Sequence, residues 1–436
     1  MLRLDLPVAS RRRRRRSAAA GAGPKRARGP RRLPAAAWGV LAGVIALAAA
    51  YVIFVLVVRA APAPTVVPVS AARAFPGPPP ALAWPSQGEA AAGVEGVGLI
   101  AVHGSAQPTP IASVAKVMTA YLVLRDHPLG PGGNGPLLTV GPADVGAYQA
   151  DHAAGQSVVT VHPGERLTER QALEGLLLPS GNNIATMLAG WDAGSEPAFV
   201  ARMNAQARAL GLASTHYADP SGVLAGTTST AGDQVRLAML ALEVPAFAQI
   251  VALPQVTLPV AGRQFNVDAL LGRNGIVGVK TGSTSQAGGC FVFAAHEQLA
   301  GRTVTLVGAV LHQMATHTQP SIITAAFQAS TALLASMHHV VVPLRVVRRG
   351  ATLAWVEAPW QNPIAVRAAG SASLVGWHGL PIRSAFDTAR HPAAPLKVGQ
   401  SVGTAVVAAG AQRVQVGLVT SDALSQASLT WRLTHP

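Results

Sequence analysis

The amino-acid sequence predicts a mixed α/β (α+β) fold, with a membrane-spanning helix before the folded body and a β-rich domain after it. An apolar run without charged residues covers Trp38 to Val58. From about residue 90 to 340, helix-period apolar patterns are mixed with short, β-branched segments bounded by glycine, which is typical of helices and strands that share one core. After residue 340, strand patterns follow one another without helical patterns between them, and we interpret this region as a separate domain.

Positive charge is concentrated at the start of the chain. The net charge is +15, yet twelve of the 34 Lys and Arg residues precede residue 34, against the single acid Asp5, which leaves about +4 for the rest. A body this close to neutral offers no broad basic face, so nucleic acid is not expected as a partner. We interpret residues 1–37 as a basic cytoplasmic tail.

The apolar run at residues 38–58 has the length of a transmembrane helix, since roughly 20 residues span a hydrocarbon core of about 30 Å. Arginine is abundant before it and sparse after it, so the positive-inside rule places the N-terminus in the cytoplasm and the body outside. We therefore expect a single-pass protein of the cell membrane; secretion after cleavage of a signal peptide is the alternative. Prolines are dense in residues 59–86, which predicts an extended linker.

The body, residues 87–340, contains helix patterns followed by strand patterns. Helices are predicted for Ile111–Arg125, from Thr168 to the residue before Pro179, for residues 197–210 and for about 320–337. Strands are predicted for residues 275–280, 289–295 and 303–311, with a hairpin-type connection over residues 296–302. Residues 341–436 form the predicted C-terminal β-rich domain.

Two residues that indicate chemistry lie on the first predicted helix of the body. Ser113 and Lys116 are spaced i, i+3, so their side chains share one face. The chain has only four lysines, Lys25, Lys116, Lys280 and Lys397, and takes most of its positive charge from arginine. A lysine whose pKa is lowered by burial and nearby positive charge can accept the proton of a serine hydroxyl, which arginine cannot do. We interpret the pair as nucleophile and base; an amphipathic helix with a solvent-reaching lysine is the structural alternative.

Two further short segments carry residue types suited to substrate binding. Ser180 and Asn182 follow a proline that ends one helix and precede the apolar start of the next, where a hydroxyl and an amide can relay a proton and orient a substrate; helix capping is the alternative. Lys280, Thr281 and Gly282 follow a strand pattern. There, the lysine and the hydroxyl can hold a carboxylate while glycine leaves room for a substrate backbone; an ordinary strand end is the alternative.

The three segments occur in the order S-x-x-K, S-x-N and K-T-G, and two of the four lysines occupy motif positions. Over roughly residues 90–340 the chain resembles the low-molecular-mass penicillin-binding proteins, specifically the D-alanyl-D-alanine carboxypeptidases. The stretches "HPGERLTERQALEGLLLPSGNN" and "RMNAQARALGLASTHYADPSGV" also resemble that family. The resemblance implies a β-lactamase/penicillin-binding-protein-like transpeptidase fold, with an antiparallel sheet and a helical subdomain.

The resemblance also implies a reaction, in which D-alanine leaves a peptidoglycan stem peptide and water hydrolyses the acyl-enzyme. By this likeness Ser113 is the acylated nucleophile, Lys116 is its base, and Ser180 passes the proton to the leaving amine. The oxyanion hole is formed by the backbone N–H groups of Ser113 and Ser283, the residue after Gly282. β-Lactam antibiotics are expected to inhibit by acylating the same serine.

Substrate binding is implied for the other motif residues. Asn182 binds substrate and Lys116, while Lys280 and Thr281 bind the terminal carboxylate. The chain departs from the family pattern at Asn183, where many relatives have Asp, and at Ala115, where Thr is common. Neither position carries a catalytic role in this interpretation.

Several other functions remain as alternatives. A class A β-lactamase needs a loop glutamate after S-x-N, but between Glu196 and Glu243 the only acids are Asp219 and Asp233. Endopeptidase action on crosslinked peptides uses the same site, and a non-catalytic sensor of penicillin or peptidoglycan would keep the same motifs. No cofactor or metal is expected, since "HEQLA" at His296 lacks the second histidine of a zinc motif.

Overall fold

The computed structural model describes residues 34–57, 60–69, 74–105, 107–130, 132–317, 320–388 and 391–435. Nearly all of the predicted basic tail, residues 1–33, lies outside the described residues. The chain divides into two compact units, one comprising Met1–Pro62 with Ala427–Pro436 and the other comprising Ala63–Gln426. All residues of the three motifs belong to the second unit.

In the first unit, helix α1 spans Ala35–Val57, close to the predicted membrane span. Its 23 residues correspond to about 34 Å at 1.5 Å per residue, and its mean hydropathy is 2.9. Among the described residues, this is the one single helix whose length and composition suit a membrane crossing.

The second unit begins with a body of twelve strands and eight helices within the described residues. The strands are β1 (Thr65–Pro68), β2 (Glu89–Val94), β3 (Gly98–His103), β4 (Thr109–Pro110), β5 (Leu137–Thr139), β6 (Arg166–Thr168), β7 (Thr228–Ser229), β8 (Gln255–Leu258), β9 (Gly262–Phe265), β10 (Ile276–Thr284), β11 (Gly288–Leu299) and β12 (Arg302–Gln313). The helices are α2 (Lys116–Asp126), α3 (Pro142–Ala153), α4 (Glu169–Leu177), α5 (Asn182–Ala193), α6 (Glu196–Ala209), α7 (Ala231–Leu242), α8 (Pro245–Val251) and α9 (Ile322–Val340).

A five-stranded antiparallel sheet forms the centre of the body, in the order β10-β11-β12-β2-β3. Side chains alternate across β11, as the two-residue period of a strand requires. Val292 and Ala294 join the core of the helical subdomain, whereas Phe291, Phe293 and Ala295 join a second core that contains residues of α9. Both faces of the sheet are therefore covered, and β10 is left at one edge.

Several sequence-based elements are confirmed. Helix α4 begins after Thr168, whose Oγ1 accepts a hydrogen bond from the backbone N–H of Gln171 at 3.2 Å, and it ends before Pro179. The predicted connection over residues 296–302 is wrong in its extent, because residues 296–299 continue β11 and pair with β12. Ala300 and Gly301 remain as a two-residue turn, both with positive φ, which is the geometry that closes a tight hairpin.

After α9 the chain consists mainly of strands: β13 (Val342–Val347), β14 (Thr352–Ala358), β15 (Gln361–Ala368), β16 (Ala372–Gly376), β17 (Arg383–Thr388), β18 (Ser401–Ala409) and β19 (Gln412–Thr420), followed by the short helix α10 (Leu429–Thr434). Six strands form a sheet in the order β1-β14-β15-β19-β18-β17, and β13 pairs with β16.

Part of the proline-rich segment predicted as a linker is incorporated into this C-terminal sheet. Strand β1 pairs with β14 over four residues, and Phe75 donates its backbone N–H to Leu380 O at 2.9 Å. Buried residues of α9, the central sheet and the C-terminal strands also lie in one continuous core. The C-terminal strands and the body are thus packed together rather than joined only by a tether.

Candidate active site

Ser113 lies in a 3₁₀ helix, Ala112–Ala115, which leads directly into α2. The predicted helix therefore starts with a tighter turn, in which residues i and i+3 eclipse one another. Lys116 Nζ lies 2.8 Å from Ser113 Oγ. Ala112, which precedes the serine, has φ 47°, a conformation that costs free energy for a residue with a side chain and is held by its surroundings.

The Lys116 side chain is completely buried. In the part of the chain that the structure describes, three oxygen atoms lie around Nζ: Ser113 Oγ, Asn182 Oδ1 at 2.6 Å and the backbone oxygen of Ser221 at 3.1 Å. Burial lowers the pKa of Lys116 well below its ordinary value, and the positive charge of Lys280 lowers it further. Asp219 and Asp151 act in the opposite sense but more weakly, so the environment favours the neutral amine, which is the form that a base requires.

Ser180 and Asn182 lie at the junction between α4 and α5. Ser180 has φ 66° and is buried, so its backbone also adopts the left-handed conformation that few non-glycine residues occupy. Asn182 is the first residue of α5. Its Oδ1 contacts Lys116 Nζ, and its Nδ2 donates to Gln156 Oε1 at 2.7 Å. One amide therefore bridges the predicted base and the segment that follows α3.

Asn183, which departs from the family pattern, fixes that same segment. Its Oδ1 accepts from the backbone N–H of Val159, and its Nδ2 donates to the backbone oxygen of Val159, both at 2.9 Å. The backbone N–H of Asn182 donates to Ser157 O at 2.8 Å. An amide can make both bonds to one residue, whereas an ionised carboxylate only accepts hydrogen bonds. Asn183 thus has a structural task that the sequence did not reveal.

The third motif lies on the edge strand β10. Lys280 and Thr281 are buried, and Lys280 Nζ donates to the backbone oxygen of Thr281 at 3.1 Å. Gly282 lies against the turn that carries the nucleophile, because a Cβ added to it would be 2.9 Å from Ile111 O and 3.0 Å from Ser113 N. Contacts this short exclude a side chain at this position, so glycine is what lets the strand and the nucleophile approach each other.

Five of the eight predicted site residues line one cleft of about 980 Å³, and Lys280 lies buried beside it on β10. Its lining includes Ser113, Ser157, Ser180 and residues 281–283. Residues of α9, from Ile323 to Ala335, also line it. The structure therefore brings the predicted residues together: Ser113, Ser180, Thr281, Gly282 and Ser283 line the cleft, and Lys116 and Asn182 join it through hydrogen bonds.

Sequence reasoning missed the loop that supplies the third oxygen to Lys116. Asp219 accepts hydrogen bonds from Ser221 Oγ at 2.6 Å and from the backbone N–H of Val223 at 2.9 Å, and from Thr227 Oγ1. These bonds shape the loop so that the Ser221 carbonyl oxygen faces Nζ. In the sequence, the segment "DPSG" is distinguished only as part of a family-like stretch.

Asp268 is a second residue that sequence reasoning missed. It is buried between Val267 and Ala269, which line the cleft, and its Oδ1 accepts from the backbone N–H of Leu270 at 2.9 Å. Its Oδ2 has no hydrogen-bond partner among the described residues. Burial raises the pKa of Asp268 to about 6, and its charge opposes the effect of burial on Lys280, whose pKa burial lowers to about 7.

Comparison with known proteins identifies the family. A family model described as D-alanyl-D-alanine carboxypeptidase matches residues 98–312. The D-alanyl-D-alanine endopeptidase of Pseudomonas aeruginosa is 33% identical over 229 residues, which cover 49% of this chain and 70% of that protein. This chain belongs to the D-alanyl-D-alanine carboxypeptidase family. The family predicted from the three motifs is thereby confirmed.

Other members of the family show how far the likeness extends. The D-alanyl-D-alanine carboxypeptidase DacB2 of Mycobacterium tuberculosis is 40% identical over 193 residues, 43% of this chain, and the match spans 62% of that protein's length. Penicillin-binding protein 5 from Haemophilus influenzae has the same fold, with a TM-score of 0.55 and 20% identity, over 80% of this chain and 100% of that one. The predicted penicillin-binding-protein-like fold is confirmed.

Proposed function

We propose that this family member is a serine-type D-Ala-D-Ala carboxypeptidase, which removes the terminal D-alanine of peptidoglycan stem peptides through an acyl-enzyme on Ser113. The observation that carries the proposal is the buried amine of Lys116, whose Nζ lies 2.8 Å from the hydroxyl oxygen of Ser113. Such a pair supplies both the nucleophile and the base of an acyl transfer.

The first half-reaction forms an ester. Neutral Lys116 accepts the proton of the Ser113 hydroxyl as Oγ attacks the carbonyl carbon of the penultimate D-alanine. The carbonyl oxygen becomes an oxyanion, and the backbone N–H groups of Ser113 and Ser283 stabilise it, at about 3 kcal/mol for each donor. The C–N bond then breaks, and the proton on Lys116 passes through the Ser180 hydroxyl to the leaving amine of D-alanine.

Substrate orientation comes from the second and third motifs. The terminal carboxylate binds Lys280 and Thr281, and the Asn182 amide binds the peptide and Lys116. In the second half-reaction a water molecule gives its proton to Lys116 and attacks the ester, which frees the shortened peptide and regenerates the Ser113 hydroxyl. A β-lactam would acylate the same hydroxyl and act as an inhibitor.

Endopeptidase action is the second candidate. It is favoured by the relative from Pseudomonas aeruginosa, whose name describes an endopeptidase, and by the extension of the cleft beyond the nucleophile along α9. A crosslinked peptide differs from a pentapeptide in the size of its leaving group, and a cleft of about 980 Å³ leaves room for a larger one.

Helix α1 supports a proposal about the place of action. We propose that this helix anchors the protein in the cell membrane, with the folded unit of residues 63–426 on the outer side, where peptidoglycan lies. Its length and hydropathy support an anchor, and the arginine-rich segment before it supports the orientation.

The test is incubation of the purified full chain with a pentapeptide ending in D-Ala-D-Ala, with the products measured by mass. We expect release of D-alanine, and we expect Ser113→Ala to abolish both this release and covalent labelling by a fluorescent penicillin. Labelling of wild-type protein without release of D-alanine would identify a non-catalytic sensor. Labelling that persists in Ser113→Ala would refute the nucleophile.

A further inference from the structure

The three oxygen neighbours of Lys116 Nζ differ in what they can do. A neutral amine has two N–H bonds and one lone pair. Asn182 Oδ1 and the Ser221 backbone oxygen can only accept hydrogen bonds, whereas the Ser113 hydroxyl can also donate. When both N–H bonds point to the two acceptors, the lone pair is left facing Ser113 Oγ, which lies 2.8 Å away. The neighbours of the amine therefore decide where its lone pair points.

This arrangement depends on which end of the Asn182 amide faces the lysine. The two ends of a carboxamide have nearly the same shape but opposite hydrogen-bonding character. With Nδ2 turned toward Nζ, its N–H would donate to the lone pair, and the amine could not take the serine proton. Protonated Lys116 selects Oδ1 without help, because an ammonium group can only donate hydrogen bonds. A neutral amine can also accept a hydrogen bond, so it does not select Oδ1 over Nδ2.

Gln156 is placed to keep the amide in the productive orientation. Its Oε1 accepts from Asn182 Nδ2 at 2.7 Å, which leaves Oδ1 toward the lysine. The backbone at Gln156 is itself held, since its N–H donates to Asp151 O at 3.0 Å and the next residue, Ser157, accepts from the backbone N–H of Asn182. Val159 is bound at both polar atoms by Asn183. The side chain of Gln156 is thus presented by a segment fixed onto the start of α5.

We propose that Gln156 is a positioning residue, which sets the orientation of the Asn182 amide and through it the direction of the Lys116 lone pair. The inference rests on the proposed function, because it concerns the base of the acylation step. Gln156 contacts neither Ser113 nor the cleft strand β10 by hydrogen bond among the described residues, so its effect is exerted through Asn182.

Two substitutions at this position separate positioning from mere packing. Gln156→Met keeps the size of the side chain and removes the acceptor. The Asn182 amide can then turn, and its N–H can donate a hydrogen bond to the lone pair of neutral Lys116. Gln156→Glu keeps an acceptor and adds negative charge near the lysine, which favours its protonated form. Within the described residues, the charged groups that already face Lys116 are Lys280, Asp219 and Asp151, and neither substitution changes them.

The experiment measures the rate of acylation by a fluorescent penicillin against pH, for the full chain. For Gln156→Met we expect the high-pH plateau to fall on the order of tenfold and the midpoint to move to lower pH. For Gln156→Glu we expect the plateau to be largely kept and the midpoint to move to higher pH by about one unit. Gln149→Met, the same change on the exposed side of α3, is the matched control and should behave as wild type.

The decisive result is a midpoint pH of acylation that moves down in Gln156→Met and up in Gln156→Glu. A wild-type acylation rate and pH profile in Gln156→Met would overturn the inference. Equal losses of acylation rate in both variants without a pH shift would also overturn it, because they would indicate damage to the loop. Thermal unfolding of each variant checks that it is folded. If wild-type protein is not acylated at all, the proposed function fails; if it is acylated and the variants match it, only the role of Gln156 fails.

Discussion

Burial controls the charge of several side chains around the cleft. Lys116 and Lys280 are both buried, and burial lowers the pKa of each lysine. The proposed mechanism requires opposite outcomes for the two residues: Lys116 neutral, so that it can act as a base, and Lys280 charged, so that it can bind a carboxylate. The positive charge of Lys280 lowers the pKa of Lys116 against the opposing effect of Asp219 and Asp151, whereas the negative charge of Asp268 raises the pKa of Lys280. This difference in the dominant neighbouring charge separates the two proposed roles.

Replacement of Asp268 by asparagine tests that separation at the scale of one residue. Asn keeps the acceptor for the Leu270 N–H but removes the charge, so the pKa of Lys280 should fall below its present value of about 7. Above that lower pKa the amine is neutral and the substrate carboxylate loses its partner. We expect KM for the pentapeptide to rise about tenfold at pH 8, and less at pH 6.

The measurement is KM and kcat at each pH, with Asp422→Asn, at an exposed position of the C-terminal segment, as the control. An increase in KM that is equal at both pH values would mean that the substitution distorts the loop rather than the charge of Lys280. An unchanged KM at pH 8 would show that Asp268 does not control the charge of Lys280.

At the scale of elements, the cleft depends on how segments are attached to the ends of α5 and β10. The N-terminus of α5 carries Asn182 and Asn183, and both bind the segment after α3. Strand β10 approaches the nucleophile because Gly282 has no side chain. Each attachment joins elements that are distant in sequence, so a small change at one of them should alter the geometry of the whole cleft.

Asn183→Asp is a sharp test of the first attachment. An ionised aspartate cannot donate to the Val159 carbonyl oxygen and would face it across the 2.9 Å that the amide now bridges. We expect a loss of about 1–3 kcal/mol in the free energy of unfolding. Burial and the facing oxygen raise the pKa of such a carboxyl in the folded state. The loss of unfolding free energy that comes from ionisation therefore begins above the unfolded pKa of about 4 and grows as the pH rises.

Urea unfolding at pH 5 and pH 8 measures this dependence. Asn362→Asp, the same substitution at an exposed position of β15, is the matched control and should cost little at either pH. A loss for Asn183→Asp that does not grow between the two pH values would contradict the role assigned to its N–H group.

At the scale of the whole molecule, the segment after the apolar helix belongs to the fold. Strand β1 covers one edge of the C-terminal sheet, and Phe75 and Trp84 pack against the core shared with α9. Without β1, strand β14 would present an unpaired edge, which favours aggregation. The stable folded unit that follows α1 should therefore begin near residue 63 rather than at the predicted domain start of residue 87.

Two shortened chains, residues 63–436 and residues 87–436, test this boundary. Both lack α1, so they differ in β1 and in the aromatic packing that follows it. We expect the shorter chain to lose at least about 3 kcal/mol of unfolding free energy and to associate on concentration. Chemical unfolding and light scattering measure the two effects, and equal stability of the two chains would show that residues 63–86 act only as a tether.

The sequence by itself determined the family, and with it the proposed chemistry and the broad architecture. Ser113, Lys116, Ser180 and Lys280 were recognisable because each motif is compact, and its residue types are restricted by what a nucleophile, a tunable base or an anion site must be. Helices such as α4 were predictable because capping and apolar period are local properties of the chain. The apolar span at α1 was visible for the same reason.

Only the tertiary structure decided how these groups act on one another. Lys116 meets Asn182 and Ser221, which are 66 and 105 residues away in sequence, and no local pattern encodes contacts of that range. Gln156 and Asp268 resemble ordinary polar residues until the fold places one beside an amide and the other near a buried lysine. Burial and distance set pKa values and hydrogen-bond direction, and both arise only when distant segments pack together.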